Sequence, residues 1–244
     1  MLEHHYLTSL FEPDAVAVIG ASDRENAVGN IIFKNILNSG FKGQLFAINP
    51  KHESVQGVQT YATIEEIGAR VDMAVIATRP QTIPKIIEQC GRCGVRNVII
   101  VTSGFSESGH SGAALERKVL ELARSYNVRI LGPNCLGIIR PDIGLNATFA
   151  SITADRGNLA LVSQSGAMCS AVLDWAKSNQ IGFSSVISLG MTADVEFGEI
   201  LDYLIYDSRT HYILMYVEGI RNARRFMSAL RSAARIKPII LLKA

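Results

Sequence analysis

Short apolar runs alternate with helix-like stretches along most of the 244 residues, and this alternation restricts the fold more than any other feature. Strands that alternate with helices pair in parallel and form a doubly wound α/β sheet. In the first half the pattern predicts strands at Ala15–Ile19, Gln44–Ile48, Met73–Ala77, Asn97–Val101 and Arg129–Leu131. It predicts helices at Gly29–Ser39, Ile64–Gly68, Thr82–Cys93 and Gly112–Tyr126.

The alternation breaks after the fifth strand and then restarts. The break is punctuated by Pro133, Gly137, Pro141, Gly144 and Gly157. The second pattern predicts strands at Leu159–Val162, Ser184–Ser188, Tyr212–Val217 and Pro238–Leu242, with helices at Ala167–Ser178, Phe197–Tyr206 and Ala223–Ala234. We therefore expect two domains, 1–146 and 147–244. Four strands and three helices are few for such a domain, so we expect the second one to be incomplete at its C-terminus.

Composition excludes several classes of protein. Apolar residues make up 48% of the chain and charged residues 19%, which indicates a packed core. The net charge of +2 gives no reason to expect nucleic acid or membrane as a partner. No apolar run reaches the roughly 18 residues of a membrane span, and the start does not resemble a signal peptide. With four unevenly placed cysteines, the sequence favours a cytoplasmic protein.

The first strand ends in a small-residue turn, Gly20-Ala21-Ser22, which leads into a helix. Such a helix start can hold phosphate, although the turn could also be purely structural. The dinucleotide fingerprint is incomplete, because Ser22 stands at the second glycine position. Lys51, and no acid, follows the second strand. A lysine there favours a phosphorylated ribose, which leaves NADP and coenzyme A as candidate ligands.

Three further loops fall where other strands of the first domain end. They are Thr78-Arg79-Pro80, Thr102-Ser103-Gly104-Phe105 and Leu131-Gly132-Pro133-Asn134-Cys135. Open parallel sheets bind ligands at the carboxyl ends of their strands, so we expect these small, polar or rigid loops to line a ligand crevice.

A second junction of the same kind reads Val162-Ser163-Gln164-Ser165-Gly166. Its hydroxyls and backbone N–H groups could bind an anion, while the bland alternative is that Ser163 is an ordinary N-cap. The segment is neither a Walker loop nor a G-x-S-x-G elbow. Glu218 follows a later strand and could orient a histidine, or it could be a solvated loop acid.

These segments, in this order along nearly the whole chain, resemble the NDP-forming acyl-CoA synthetases, which include ADP-forming acetate–CoA ligases and the alpha subunit of succinyl-CoA synthetase. The matching segments are Ala17–Ser22, Ile48–Lys51, Leu131–Gly137, Val162–Gly166 and Glu218–Gly219. The N-terminal region of Pat-type protein lysine acetyltransferases looks closest of all. Gly144–Phe149, Leu173–Ala176 and Leu201–Leu204 carry that similarity.

The resemblance implies a Rossmann-like CoA-binding domain, followed by a truncated flavodoxin-like domain of the succinyl-CoA synthetase type. It implies that CoA or acyl-CoA contacts Gly20, Ala21, Ser22, Lys51, Thr78, Pro80, Ser103 and Asn134. It also implies that Ser163, Gln164, Ser165 and Gly166 hold the phosphate of a phosphohistidine loop. Glu218 would pair with that histidine.

In such a ligase, acyl-CoA, phosphate and ADP give acid, CoA and ATP through an acyl phosphate and a phosphohistidine. The histidine loop should follow the Lys243 strand, so we expect the isolated chain to be inactive. ATP or ADP with Mg would enter only through an ATP-grasp region or subunit. The alternative is a CoA- or acetyl-CoA-sensing regulatory region fused to an acetyltransferase domain. An NADP-dependent oxidoreductase is a third possibility, and a homo-oligomer would cover apolar surface left by missing segments.

Two segments imitate functional motifs. Gly109-His110-Ser111-Gly112-Ala113 is similar to the Gly-His-x-Gly-Ala segment of succinyl-CoA synthetase, but it lies in the wrong domain, so we predict no catalytic role for His110. Cys90-Gly91-Arg92-Cys93 ends a predicted helix, where the helix dipole opposes a thiolate. No second cysteine pair completes a zinc site, and we predict no metal site.

Overall fold

The first sheet of the computed structural model, which describes residues 5–244, is a parallel sheet edged by a small hairpin. Its strands lie in the order β3-β4-β2-β1-β5-β6-β7. They are β1 (Ala15–Ile19), β2 (Gln44–Ile48), β3 (Ser54–Val55), β4 (Val58–Tyr61), β5 (Met73–Ile76), β6 (Asn97–Ile100) and β7 (Arg129–Leu131). The helices are α1 (Thr8–Phe11), α2 (Val28–Asn38), α3 (Ile83–Arg92) and α4 (His110–Ser125).

The second sheet has six strands in the order β13-β12-β10-β11-β8-β9. They are β8 (Gly137–Arg140), β9 (Leu145–Thr148), β10 (Arg156–Ser163), β11 (Phe183–Ser188), β12 (Tyr212–Val217) and β13 (Ile239–Lys243). Helices α5 (Gly166–Ser178), α6 (Phe197–Tyr206) and α7 (Ala223–Ala234) connect the last four strands. The α/β fold class with two doubly wound units is therefore confirmed.

The longer predicted helices and the predicted strands agree with the structure to within about three residues. The predicted helix at Ile64–Gly68 is a 3₁₀ turn at Ile64–Ile67, and the short elements α1, β3, β4, β8 and β9 were not predicted. The sequence predicted a four-stranded second sheet, which was wrong, because β8 and β9 form an antiparallel hairpin that extends this sheet through β11. The sheets therefore divide between Leu131 and Gly137. The domain boundary at 146/147 stays a prediction, and residues 1–4 of the predicted first domain lie outside the described residues.

One buried core joins the two sheets. Val18 and Ile32 of the first unit belong to the same apolar cluster as Ile187, Val195 and Leu201 of the second unit. Burial of apolar surface from both units in one cluster holds them together in the way a single domain core is held.

A partly buried ion network, centred on the buried Glu199, also connects the two units. Arg129 on β7 donates to the Asp194 carboxylate at 2.9 Å (Nε) and 3.1 Å (Nη2), and to Glu199 on α6 at 2.6 Å. The Tyr6 hydroxyl donates to Glu199 at 2.8 Å. Asp194 also accepts the backbone N–H of Ile130 at 2.8 Å. Hydrogen bonds between charged partners are the strong ones, so this network fixes the orientation of the second unit on the first.

We expect Glu199 to make stability depend on acid pH. Burial by itself raises the pKa of its carboxyl, but the hydrogen bond and charge of Arg129 prevail and lower the pKa below the ordinary 4.5. The unfolded chain then binds more protons as pH falls below about 5, so the unfolding free energy decreases by at most about 1.4 kcal/mol per pH unit. Urea unfolding between pH 7 and 3 should show a shallower decrease in Glu199→Gln. An unchanged slope contradicts the assignment, and Glu121→Gln at an exposed position of α4 is the control.

Candidate functional site

The carboxyl ends of the parallel strands in the first sheet are level with one another. Ile19 at the end of β1 pairs with Ile48 and Ile76, and Ile76 pairs with Ile100. The loops that follow β1, β2, β5, β6 and β7 therefore meet at one edge, which we call the first cleft. The strand order changes direction between β1 and β5, which is where open α/β sheets bind ligands.

The turn after β1 is built from glycine because two backbones approach closely there. Gly20 has φ +97°, and a Cβ on it would lie 2.8 Å from the carbonyl oxygen of Ala77. A Cβ on Gly29, in the first turn of α2, would overlap the Gly20 carbonyl. Gly29 thus does the close helix–strand packing that the last glycine of a dinucleotide fingerprint does. The buried Ala21 continues the turn.

Asn49 links the ends of β1 and β2, although it was not among the predicted site residues. Its Nδ2 donates to the carbonyl of Ala21 at 2.7 Å, and its Oδ1 accepts the N–H of Lys51 at 2.9 Å. Its only sequence signal is the Asn-Pro-Lys triplet, which is typical of an Asx turn. The bond places the exposed Lys51 next to the β1 turn, at the mouth of the first cleft.

Ser22 is half-buried, and both its side chain and its backbone carbonyl are hydrogen-bonded. Its hydroxyl accepts the N–H of Arg24 at 3.0 Å, and its carbonyl accepts Nδ2 of Asn30 at 2.8 Å. The loop that contains Ser22 is therefore ordered by the protein itself before any ligand binds.

The loops after β5 and β6 contact each other. The carbonyl of Thr78 accepts the hydroxyl of Thr102 at 2.7 Å, and the hydroxyl of Thr78 accepts that of Thr82 at 2.9 Å. Pro80 packs so closely on Gly104 that a Cβ there would lie 2.9 Å from Cγ of the proline. Ser103, between these contacts, is exposed. Thr78, Pro80 and Ser103 thus form one rigid wall of the first cleft.

Asn134 lies where the two units meet. It is exposed with φ 55°, and its N–H donates to the carbonyl of Thr102 at 3.0 Å. The adjoining Pro133 accepts the N–H of Met191, from the loop after β11, at 2.9 Å. The structure therefore brings every predicted residue of the first cleft to one edge and places this edge against the second unit.

The strands of the second sheet also end level with one another. Ser163 at the end of β10 pairs with Ser188 and Tyr216, and Val217 pairs with Lys243. We call this the second edge. The strand order changes direction between β10 and β12, so the loop after Ser163 and the loop at Glu218 flank its ligand position.

The two serines of the second edge hold their own backbone. The hydroxyl of the buried Ser163 donates to the carbonyl of Ser165 at 2.9 Å and accepts its N–H at 3.0 Å. Ser165 is the N-cap of α5, where its hydroxyl accepts the N–H of Met168 at 3.2 Å. The N-cap alternative therefore applies to Ser165 and not to Ser163. The N–H groups at the start of α5, beginning with Gly166, are the donors that this turn presents to an anion.

Gln164 spans the second edge. Its Oε1 accepts the N–H groups of Glu218 and Gly219 at 2.6 and 2.9 Å, and its Nε2 donates to the Gly219 carbonyl at 2.9 Å. These three hydrogen bonds use three of the four donor and acceptor sites of the amide, so Gln164 positions the Glu218 loop. The Glu218 side chain is exposed. Nζ of Lys243 donates to the backbone carbonyl of Glu218 at 3.1 Å.

The two imitating segments occupy unremarkable positions. His110 begins α4 and is exposed. Burial raises the pKa of the Cys90 thiol to about 12, and burial does the same for Cys135 and Cys169. Thiols with such a high pKa are poor nucleophiles at neutral pH. Within residues 5–244, no cluster of His, Cys, Asp and Glu has a geometry that could hold a metal ion.

Two consecutive α/β units with a small-residue cleft on the first define a protein class that binds a nucleotide carrier. Comparison with known families agrees. Residues 14–141 match the CoA binding domain model, and residues 156–244 match the succinyl-CoA ligase like flavodoxin domain model. The chain belongs to the NDP-forming acyl-CoA synthetase family.

Among its relatives, acetate–CoA ligase (ADP-forming) I of Archaeoglobus fulgidus is 44% identical over 235 residues, which cover 96% of this chain and 34% of that protein. The alpha subunit of acetate–CoA ligase (ADP-forming) I of Pyrococcus furiosus is 40% identical, over 98% of this chain and 52% of the subunit. The chain thus spans between a third and about half of these relatives. The resemblance to Pat-type acetyltransferases stays a prediction.

Solved structures show the same architecture. The dinucleotide forming acetyl-coenzyme A synthetase 1 of Ca. Korarchaeum cryptofilum, in complex with phosphate and ADP, superposes with a TM-score of 0.94 at 37% identity. The match covers 98% of this chain and 51% of that one.

Proposed function

We propose that this chain is the CoA-binding part of an ADP-forming acid–CoA ligase. The observation that carries the proposal is the first cleft of a CoA binding domain, whose five loops are locked together by the protein and leave Lys51 exposed at the mouth. Relatives named as ADP-forming ligases match nearly the whole chain and support this reaction class.

The residues of the first cleft fit a phosphorylated carrier. The missing Cβ of Gly20 lets the turn after β1 pack against the backbone of Ala77 and lead directly into the start of α2, whose N–H groups could hold a diphosphate. Lys51 supplies a positive charge at the end of β2, where a ribose phosphate would lie. When bound, CoA would supply the thiol that accepts the acyl group. Gly20, Ala21, Ser22, Thr78, Pro80, Ser103 and Asn134 would line its site.

Lys51 provides the test. In calorimetric titrations, CoA should bind to the wild-type protein and bind about tenfold more weakly to Lys51→Ala, since one hydrogen bond to a charged group contributes about 1.5 kcal/mol. Dephospho-CoA, which lacks the ribose phosphate, should bind equally to both proteins. Lys42→Ala is the matched control, because Lys42 is an exposed lysine that precedes the opposite end of the same strand.

Each outcome of that titration decides the proposal. Binding of NADP without binding of CoA would overturn it in favour of an oxidoreductase. If Lys51→Ala weakened the binding of CoA and of dephospho-CoA equally, Lys51 would not contact the ribose phosphate. Its effect on binding would then be a general electrostatic one.

For the second edge we propose that the start of α5, with Ser163, Gln164, Ser165 and Gly166, faces the phosphate of a phosphorylated histidine and that Glu218 orients this histidine. Support comes from the solved relative that contains phosphate and ADP. The same proposal assigns nucleotide binding to an ATP-grasp region or subunit that works with this chain, in line with relatives that are named alpha subunits.

Within the described part of the chain, no helix is long and apolar enough to span a membrane. We propose a cytoplasmic site of action, for which the free cysteines Cys90, Cys93, Cys135 and Cys169 are the supporting observation.

A further inference from the structure

Helix α4 buries a carboxylate that the proposed function does not use. The buried residues of α4 are Gly112, Glu116, Val119 and Ala123, and Glu116 is the charged one among them, with 8% of its surface exposed. A buried charge is costly unless it is paired and hydrogen-bonded, so the contacts of Glu116 indicate what it is for.

The two carboxylate oxygens of Glu116 face different units. Oε2 accepts the hydroxyl of Ser106, in the loop after β6, at 2.7 Å. Oε1 lies 3.8 Å from Nη2 of Arg221, in the loop after β12. One side chain therefore contacts the loop after β6, which contains Ser103 of the first cleft, and the loop after β12, which contains Glu218 of the second edge.

Arg221 connects that contact to the second edge. It lies three residues after Glu218, and its Nη2 also donates to the carbonyl of Met191 at 3.2 Å. The N–H of Met191 in turn donates to Pro133, beside Asn134 of the first cleft, at 2.9 Å. The Arg221 guanidinium thus connects the loops after β11 and β12 to Glu116 of the first unit.

The loop after β6 is held together by further hydrogen bonds and packing. The Glu107 carboxylate accepts the N–H groups of Gly104 and Phe105 at 2.6 and 3.2 Å, and Gly104 packs on Pro80. Movement of the Pro80–Gly104 wall would therefore move Ser106 and the carboxylate that holds it. Because the Arg221 side chain is 47% exposed, its 3.8 Å ion-pair contact with Glu116 can open without leaving a buried, unpaired cation.

We propose that Glu116 and Arg221 are positioning residues that form an interdomain latch, which couples occupation of the first cleft to the position of the Glu218 loop. This proposal depends on the proposed function only in taking CoA as the ligand of the first cleft. The Glu116 carboxylate contacts two loops, each next to one of the candidate sites, and a contact whose strength changes when one site is occupied couples the two sites energetically.

Hydrogen–deuterium exchange of the full chain without ligand tests the contact. Arg221→Gln should speed exchange of the amides in residues 104–108, across the interface, by about fivefold, which corresponds to a local loss of about 1 kcal/mol. Arg221→Lys should restore most of the protection. Arg224→Gln, a nearby exposed arginine on α7, is the control and should leave these amides unchanged. Unchanged exchange in Arg221→Gln would overturn the latch, whether or not CoA binds.

A second arm tests the coupling. Saturating CoA should slow exchange in residues 218–222 of the wild-type protein several-fold, and Glu116→Gln, which keeps the shape but removes the charge, should abolish this slowing. Equal protection in Glu116→Gln overturns the coupling. If the wild-type protein binds no CoA, the proposed function fails and the ligand-free arm still decides whether the latch exists.

Discussion

Replacing Asp207 by alanine should destabilise the protein by about 3–5 kcal/mol, the cost typical of leaving a buried charge without its partner. The charge in question is Arg140 on β8, whose side chain is 0% exposed. Its Nη1 donates to the Asp207 carboxylate at 2.7 Å and also contacts Ser185. Without Asp207, the nearest carboxylate oxygen is that of Glu12, 3.5 Å from Nη2.

The Arg140 guanidinium has few other hydrogen-bond partners. Within residues 5–244, its Nε and Nη2 already have no hydrogen-bond acceptor. The Asp207 carboxylate in addition accepts the hydroxyl of Thr210 at 3.0 Å. Burial alone would raise the pKa of Asp207, but the hydrogen bond and charge of Arg140 lower it below the ordinary 3.8. The pairing therefore stabilises the ionised carboxylate.

Urea unfolding at pH 7 measures this effect. Asp155→Ala is the control, because Asp155 forms an exposed ion pair with Lys177 at 3.0 Å, and pairs of that kind contribute about 0–1 kcal/mol. The double variant Arg140→Met with Asp207→Leu should recover part of the loss, since apolar replacement of a buried pair is often neutral. A loss in Asp207→Ala no larger than that of Asp155→Ala contradicts the buried-charge explanation.

The sequence predicted most helices and strands because each long element has a clear period and a clean break. It missed β8 and β9, whose four residues each are too short for a period. Gly137, which begins β8, was interpreted as loop punctuation. In the structure its φ is +112° and a Cβ would overlap the carbonyl of Ala147 on the partner strand. A glycine needed for strand pairing looks the same in the sequence as one needed for a turn.

The candidate site likewise was predicted from the sequence only in part. The sequence could place Gly20, Lys51 and Asn134 at one edge, because strand ends of a parallel sheet share an edge. It could not foresee that Gln164 would bond to the backbone at Glu218, 54 positions later. Nor could it foresee the link from Glu116 to Arg221. Contacts between a side chain and a distant loop leave no local pattern, so these positioning residues became visible only in the structure.

Replacing Gly29 by alanine should disable the first cleft. The new methyl group would overlap the Gly20 carbonyl, which is backbone and cannot rotate away. Overpacking of this kind costs about 1–3 kcal/mol. The Gly20 turn is held in place, because its N–H donates to the carbonyl of Ile48 at 2.9 Å. Helix α2 must therefore move away from the turn.

That movement removes the start of α2 from the position where a diphosphate would lie, so CoA affinity should fall by about 5- to 150-fold, the equivalent of the strain energy. Calorimetry with CoA measures the affinity, and thermal unfolding reports any loss of stability separately. Val28→Ala, at the exposed neighbouring position, should bind CoA as the wild-type protein does. CoA affinity within twofold of wild type in Gly29→Ala would mean that the carrier does not depend on the β1–α2 junction, and the ligand position in the first cleft would have to lie nearer Thr78 and Asn134.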